Sequence, residues 1–215
     1  MSDLKKNPNR KLDCTIFTDD TGQEKLGKFT VDLDLYHNDN VFEGEFVAKG
    51  SVPKPAVMKL FPPKLVKYYE PDIKALEIMK DATCTPKLLA VGCTLGSKGT
   101  VPGCIVIIKS ACNGKRLPGD FWNKFSNFNS KDKAWKALKE ALEEFRAQKM
   151  ELLEILPENV LWDKDSGQVY IVDFDYWDWA HDNADGTPRS IVHELYELTR
   201  NPGLRDSGEG YGRVA

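Results

Sequence analysis

The stretch Pro157 to Asp175, Pro-Glu-Asn-Val-Leu-Trp-Asp-Lys-Asp-Ser-Gly-Gln-Val-Tyr-Ile-Val-Asp-Phe-Asp, constrains this chain more than any other. Val160, Leu161 and Trp162 make a short apolar strand, Asp165-Ser166-Gly167 is a turn signal, and Val169 to Val172 is a second strand ending in acid. The pattern predicts a hairpin with a polar residue at each outer end, Asn159 entering and Asp173 leaving. Strand pairing brings an amide oxygen and a carboxylate close together across the hairpin mouth. A neutral oxygen beside an ionised one suits a hard divalent cation, above all Mg²⁺ carrying nucleotide phosphates. Asn and Asp are also ordinary strand-end residues, so a surface hairpin with two solvated ends fits the same pattern.

At 215 residues, 41% apolar and 29% charged, the chain has material for one large domain or two small lobes of an ordinary globular protein. The net charge of −3 argues against a nucleic-acid or anionic-membrane footprint. Lys131, Lys133, Lys136 and Lys139 cluster on one helix, but Glu140, Glu143 and Glu144 follow and make it a solvated face with local pairs. Five scattered cysteines, Cys14, Cys84, Cys93, Cys104 and Cys112, have neither the spacing of a zinc site nor that of a disulfide framework. No signal-peptide core and no run of about 20 apolar residues is present, so the expected setting is cytoplasmic or nuclear, away from a membrane.

In chain order, residues 1–12 are expected to form a flexible arm. Thr15–Phe17, Phe29–Tyr36 and Val41–Ala48 read as strands, the second turning Phe29, Val31, Leu33 and Leu35 to one side. The turn from His37 to Asn40 has a side chain at every position, and only Gly44 is nearby. Ala56–Phe61 is an apolar strand with Lys59 in its middle, pointing either to a site or to water. A helix follows from about Pro71 to Lys80, with Ile73, Leu76 and Met79 three apart on one face. Pro86–Cys93 and Gly103–Ile108 read as further strands of the same small sheet, and Lys109–Leu117 as a connecting loop. From Lys131 to about Met150, Ala134, Trp135, Leu138, Ala141, Leu142 and Phe145 recur with helical period. Tyr176, Trp177 and Trp179 are expected either to plug the core or to present an apolar patch to another protein. A last helix is expected from Ser190 to Arg200, and a disordered tail over 201–215.

Asn159 and the Asp-Phe-Asp at 173–175 resemble the catalytic-loop and metal-loop segment of the protein-kinase-like superfamily, where an Asn precedes a hairpin ending in Asp-Phe. The resemblance runs from about Phe29 to Arg200 and is to its compact, degenerate members of fungal and bacterial type. It implies an α+β, two-lobed protein-kinase-like fold: a β-rich N-lobe with hinge over 13–112 and a truncated helical C-lobe over 113–200. It implies ATP and Mg²⁺ as cofactors bound between the lobes. Lys59 would hold phosphates with Asp72 as its acid, Glu70 and Glu77 being fallback partners, and the backbone of Lys109 and Ala111 in the hinge would meet the adenine. Asn159 and Asp173 would hold the metal, and Glu154 stands at the catalytic-base position, where the family carries Asp, with Leu152 where it carries His. With those replacements, no glycine-rich loop and no Ala-Pro-Glu segment, the implied activity is weak or absent phosphoryl transfer to a hydroxyl, as in a pseudokinase. An active small-molecule or protein phosphotransferase, and an interaction domain without nucleotide, are the alternatives. Beyond nucleotide, a protein partner on the truncated C-lobe is possible on this reading; nucleic acid is not expected.

Overall fold

The computed structural model describes residues 11–19, 22–38, 40–95, 103–117, 121, 132–153, 155–174, 176–182, 184, 187 and 191. The expected arm over 1–10, Glu154, the helix at 190–200 and the tail at 201–215 lie outside the described residues. The chain is α+β, strand-rich, with two α-helices among the described elements. It divides into two units, Met1–Lys80 with Pro86–Ala111, and Asp81–Thr85 with Cys112–Ala215.

The first unit is a six-stranded antiparallel barrel. Its strands are β1 (Lys11–Phe17), β2 (Lys25–Asn38), β3 (Val41–Ala48), β4 (Lys54–Phe61), β5 (Leu88–Thr94) and β6 (Cys104–Ser110), in the order β1-β2-β3-β4-β6-β5. Phe17 opposite Cys93 joins β1 to β5 and closes the ring. Lys11 and Leu12, expected in the arm, therefore belong to a strand, because their backbones pair with Asp32 and Val31. Likewise β2 starts at Lys25, not Phe29: its ladder to β1 and β3 continues through Lys25, Gly27 and Lys28, and ladder bonds need backbone, not apolar side chains.

Strand alternation decides which side chains enter the barrel. Ile16, Phe29, Val31, Phe46, Ala56, Met58, Val106 and Ile108 form its buried core. Burying each large apolar side chain among them contributes about 1.5–3 kcal/mol relative to leaving it in water. Gly44 belongs to this packing: a Cβ there would run into the Thr30 carbonyl on β2. The glycine is thus explained by the close approach of two strands. The odd-numbered residues of β4 and β6 face outward, toward helix α1 (Tyr69–Ile78), which packs on β5 and β6.

On α1 the buried positions are Asp72, Ala75 and Leu76, followed by Met79 just past the helix. Their spacing of i, i+3, i+4 and i+7 is that of one helix face. Leu76 and Met79 of the expected face are buried, but Asp72 and Ala75 complete it while Ile73 is only half-buried, so a carboxylate sits inside the apolar stripe.

The second unit comprises β7 (Lys115–Arg116), helix α2 (Lys133–Ala147), β8 (Met150–Leu152), β9 (Val160–Asp163), β10 (Gln168–Ile171) and β11 (Trp177–Trp179). They form sheets of order β10-β9-β7 and β11-β8. All six apolar residues of the expected stripe on α2 are buried, and the helix packs on β8 and β10. It begins at Lys133 because the Asp132 carboxylate accepts the Ala134 N–H at 2.8 Å, an N-cap. It ends before Met150, since Lys149 turns at φ 58° and Met150 enters β8. Phe145 meets Phe174 at 5.7 Å between ring centroids.

Residues 81–85 are held to this unit by polar contacts. Glu144 on α2 accepts the Thr83 N–H and hydroxyl, both at 3.1 Å, and the Ile171 N–H donates to the Cys84 carbonyl at 2.9 Å. The expected core role of the aromatics near the end fails for two of them. Tyr176 and Trp179 are 41% and 44% exposed, while Trp177 is half-buried and meets Trp179 edge-on. On the two-stranded ribbon Trp177 stands opposite Leu152 and Trp179 opposite Met150, and of these four Met150 and Leu152 are the buried ones.

Candidate functional site

In the first unit, three charged side chains converge outside the barrel. Val57 stands opposite Lys109 and Lys59 opposite Ile107, so the two lysines are diagonal neighbours on the outward face of β4 and β6. Asp72, fully buried on α1, comes down between them. Lys59 Nζ lies 3.4 Å from its Oδ2, and Lys109 Nζ lies 3.4 Å from Oδ1 and 3.2 Å from Oδ2. Lys59 Nζ also stands 5.1 Å from the centre of the Phe61 ring. The side chains of Lys59 and Lys109 are 12% and 5% exposed. Glu70 and Glu77, the other acids on α1, face solvent.

Lys109 was expected in a connecting loop; it is instead the sixth residue of β6, paired with both β4 and β5. Its side chain could have been found by register, since it shares a strand face with Ile107, and a lysine on a buried face needs an acid. The loop begins at Ala111, whose N–H donates to the Pro55 carbonyl at 3.2 Å. That donor, expected to meet an adenine edge, is engaged within the barrel.

In the second unit the hairpin β9–β10 is formed as its sequence predicts. Gly167 turns at φ 74°, a left-handed conformation that glycine adopts without strain, and its N–H donates to the Asp163 carbonyl at 2.9 Å. The Ser166 hydroxyl, helped by the Asp165 and Ser166 N–H groups, holds the Asp163 carboxyl below its ordinary pKa. Beside it, burial pushes the Tyr170 phenol up, with smaller contributions from Cys112 and Asp163. At the hairpin mouth Ile171 pairs with Val160, and the Val172 N–H donates to the Asn159 carbonyl at 3.0 Å. Asn159 ends a 3₁₀ turn, Pro157–Asn159, and Asp173 lies one residue past its partner Val172. Both residues are half-buried. Among the described residues no group of three or more His, Cys, Asp or Glu side chains gathers into a cation cage.

No family model matches this sequence, and no curated protein matches it. Among solved structures the chain is similar to the kinase PK-1 of Cydia pomonella granulovirus, at 16% identity and a TM-score of 0.44. The match covers 69% of this chain and 51% of that one, so the chain spans about half the length of that kinase.

Proposed function

We propose that this chain is an atypical kinase-fold protein that binds ATP with Mg²⁺ and transfers phosphoryl weakly or not at all. The observation that carries the reading is the Lys59–Asp72 contact, an outward strand lysine held 3.4 Å from a fully buried helix acid. A buried ion pair is expensive to desolvate and a poor source of stability. A lysine kept there is better explained by a ligand with negative charge, and nucleotide phosphates are the ligand that the resemblance implies.

Mg²⁺ takes oxygen ligands, one or two from carboxylates and the rest from phosphates and water. An amide oxygen and a carboxylate at the mouth of one hairpin are a donor set of that kind. In this reading Asn159 and Asp173 hold the metal, whose chemistry is to offset phosphate charge. Lys59 binds and orients the phosphates, and Glu154 at the base position accepts a hydroxyl proton inefficiently, if at all. The sequence from His37 to Asn40 carries no glycine and Gly44 serves the close approach of β2 and β3, so no glycine loop is offered to cover the phosphates and turnover is expected near background.

The test is the melting temperature with and without Mg-ATP. A ligand at a hundred times its Kd stabilises by about 2.7 kcal/mol, a shift of several degrees. Lys59→Met and Asp173→Asn should each abolish the shift, and its absence in the wild type would sink the nucleotide reading. Any phosphoryl transfer by the wild type should fall about a hundredfold or more in Glu154→Gln. A second reading, a protein-contact module, is favoured by the exposure of Tyr176 and Trp179 at 41% and 44%. It takes precedence if Mg-ATP leaves the melting temperature unchanged.

A further inference from the structure

We infer that Phe61 is a positioning residue for Lys59: the face of its ring holds the lysine ammonium where the phosphates of a bound nucleotide would meet it. The destination of the ammonium rests on the nucleotide reading above; the hold upon it is a property of β4 and α1 alone.

Phe61 stands two residues beyond Lys59 on β4, so strand alternation puts both side chains on the outward face. The Lys59 Nζ lies over the Phe61 ring, 5.1 Å from its centre. A cation within about 6 Å of an aromatic centroid is attracted by the negative face of the ring, and more strongly where water is kept away. Water is largely kept away here, for Phe61 is 2% exposed and the Lys59 side chain 12%. The ring is itself held. Tyr69, the first residue of α1, meets it edge-on, with 6.3 Å between centroids and 62° between planes, an arrangement that aromatic pairs favour. The same helix brings Asp72, whose Oδ2 lies 3.4 Å from the ammonium, longer than the roughly 2.7–2.9 Å of a tight charged hydrogen bond. Helix α1 thus reaches Lys59 twice, directly through a carboxylate and, by way of Tyr69, through the ring.

The two supports differ in what they leave behind. A carboxylate offsets the charge it holds. A ring attracts the ammonium through its quadrupole and has no net charge, so it restrains the flexible four-carbon stem of the lysine without taking positive charge away from an incoming anion. Lys59 stays beside Asp72 throughout.

The test places phenylalanine analogues with one, two and three ring fluorines at position 61 of the full chain. Fluorine draws electron density from the ring face and hardly alters the size of the ring, so the series weakens the hold on a cation in steps while packing stays nearly constant. A merely structural phenylalanine would not follow the steps. In denaturant unfolding each fluorine should raise the unfolding constant about twofold, and the steps should vanish with Lys59→Met already in place. In Mg-ATP titrations of folded protein the Kd should rise in the same order, to about tenfold at three fluorines, and Phe61→Leu, which keeps apolar bulk without a ring, should weaken binding at least as much.

Unfolding constants that ignore the fluorine count overturn the inference, as do steps that persist unchanged in Lys59→Met. Where the wild type binds Mg-ATP, an affinity that ignores the fluorine count overturns it too. If the wild type does not bind Mg-ATP, the nucleotide reading fails, and the unfolding series with and without Lys59→Met alone decides whether Phe61 holds the ammonium.

Discussion

The Asp72 cluster and the hairpin mouth, the two places where we propose that phosphates and metal bind, are held in place by different means. Asp72 is fully buried and fixed by side chains, two lysines from adjacent strands of a closed barrel. Asn159 and Asp173 are half-buried, and the backbone beside them is set by the ladder of β9 and β10 and the bond from the Val172 N–H to the Asn159 carbonyl. The first arrangement stakes the stability of its unit on its charges. The second rests its hairpin on backbone pairing. On the proposed function, binding and stability are therefore coupled at Asp72 and more separable at the hairpin.

The sharpest way to break this contrast is to delete one carboxylate at each place. Asp72→Leu leaves Lys59 and Lys109 together without their acid and should destabilise by about 3–5 kcal/mol in denaturant unfolding. Asp173→Asn should cost less than about 1 kcal/mol in the same measurement while removing the response to Mg-ATP. Comparable losses in the two variants would erase the distinction. A smaller effect tests whether the barrel wall itself is as tightly determined as the cluster on it. Gly44→Val must displace the Thr30 carbonyl and should cost about 1–3 kcal/mol, read from the shift in the urea midpoint.

The smallest effect sets the Asp72 cluster against its exposed counterpart. Asp13 and Lys28 pair at 2.6 Å across β1 and β2, in the open. The hydrogen bond from Lys28, with a second from Thr30, holds the Asp13 carboxyl below its ordinary pKa. The folded value is thus lower than the unfolded one, so the contribution is complete above about pH 4 and is lost as the pH falls through the folded value. Asp13→Asn should lower the midpoint slightly at pH 6 and leave it unchanged near pH 2, in pH-resolved urea titrations. A deficit that persisted in acid would mean that Asp13 acts through packing.

What could be read from the sequence was whatever had a period or a turn of its own. The stripe from Ala134 to Phe145, the Lys59 strand and the Asp163–Gly167 turn each carry local signals, and each is found. Asp72 was named from the resemblance, but its burial was hidden because apolar spacing groups Ile73 with Leu76 and Met79, whereas the buried face passes through Asp72 and Ala75. Lys109 was missed in its place because Lys-Ser-Ala-Cys-Asn-Gly is loop-like in composition, whereas pairing on both sides extends β6 to Ser110. Closure by β1 depends on Phe17 meeting Cys93, a contact between residues far apart in sequence that no local pattern announces.

The segment 81–85 gives the chain an unusual itinerary. It leaves the first unit after Lys80, serves five residues in the second, returns at Pro86, and departs for good after Ala111. Neither half can be excised as one continuous length. A gene fragment ending at Ala111 would carry Thr83 and Cys84 with no Glu144 to receive them, and one beginning at Cys112 would leave Glu144 and the Ile171 N–H without the groups they bind. Separating the two units therefore takes three cuts of the chain, after Lys80, Thr85 and Ala111.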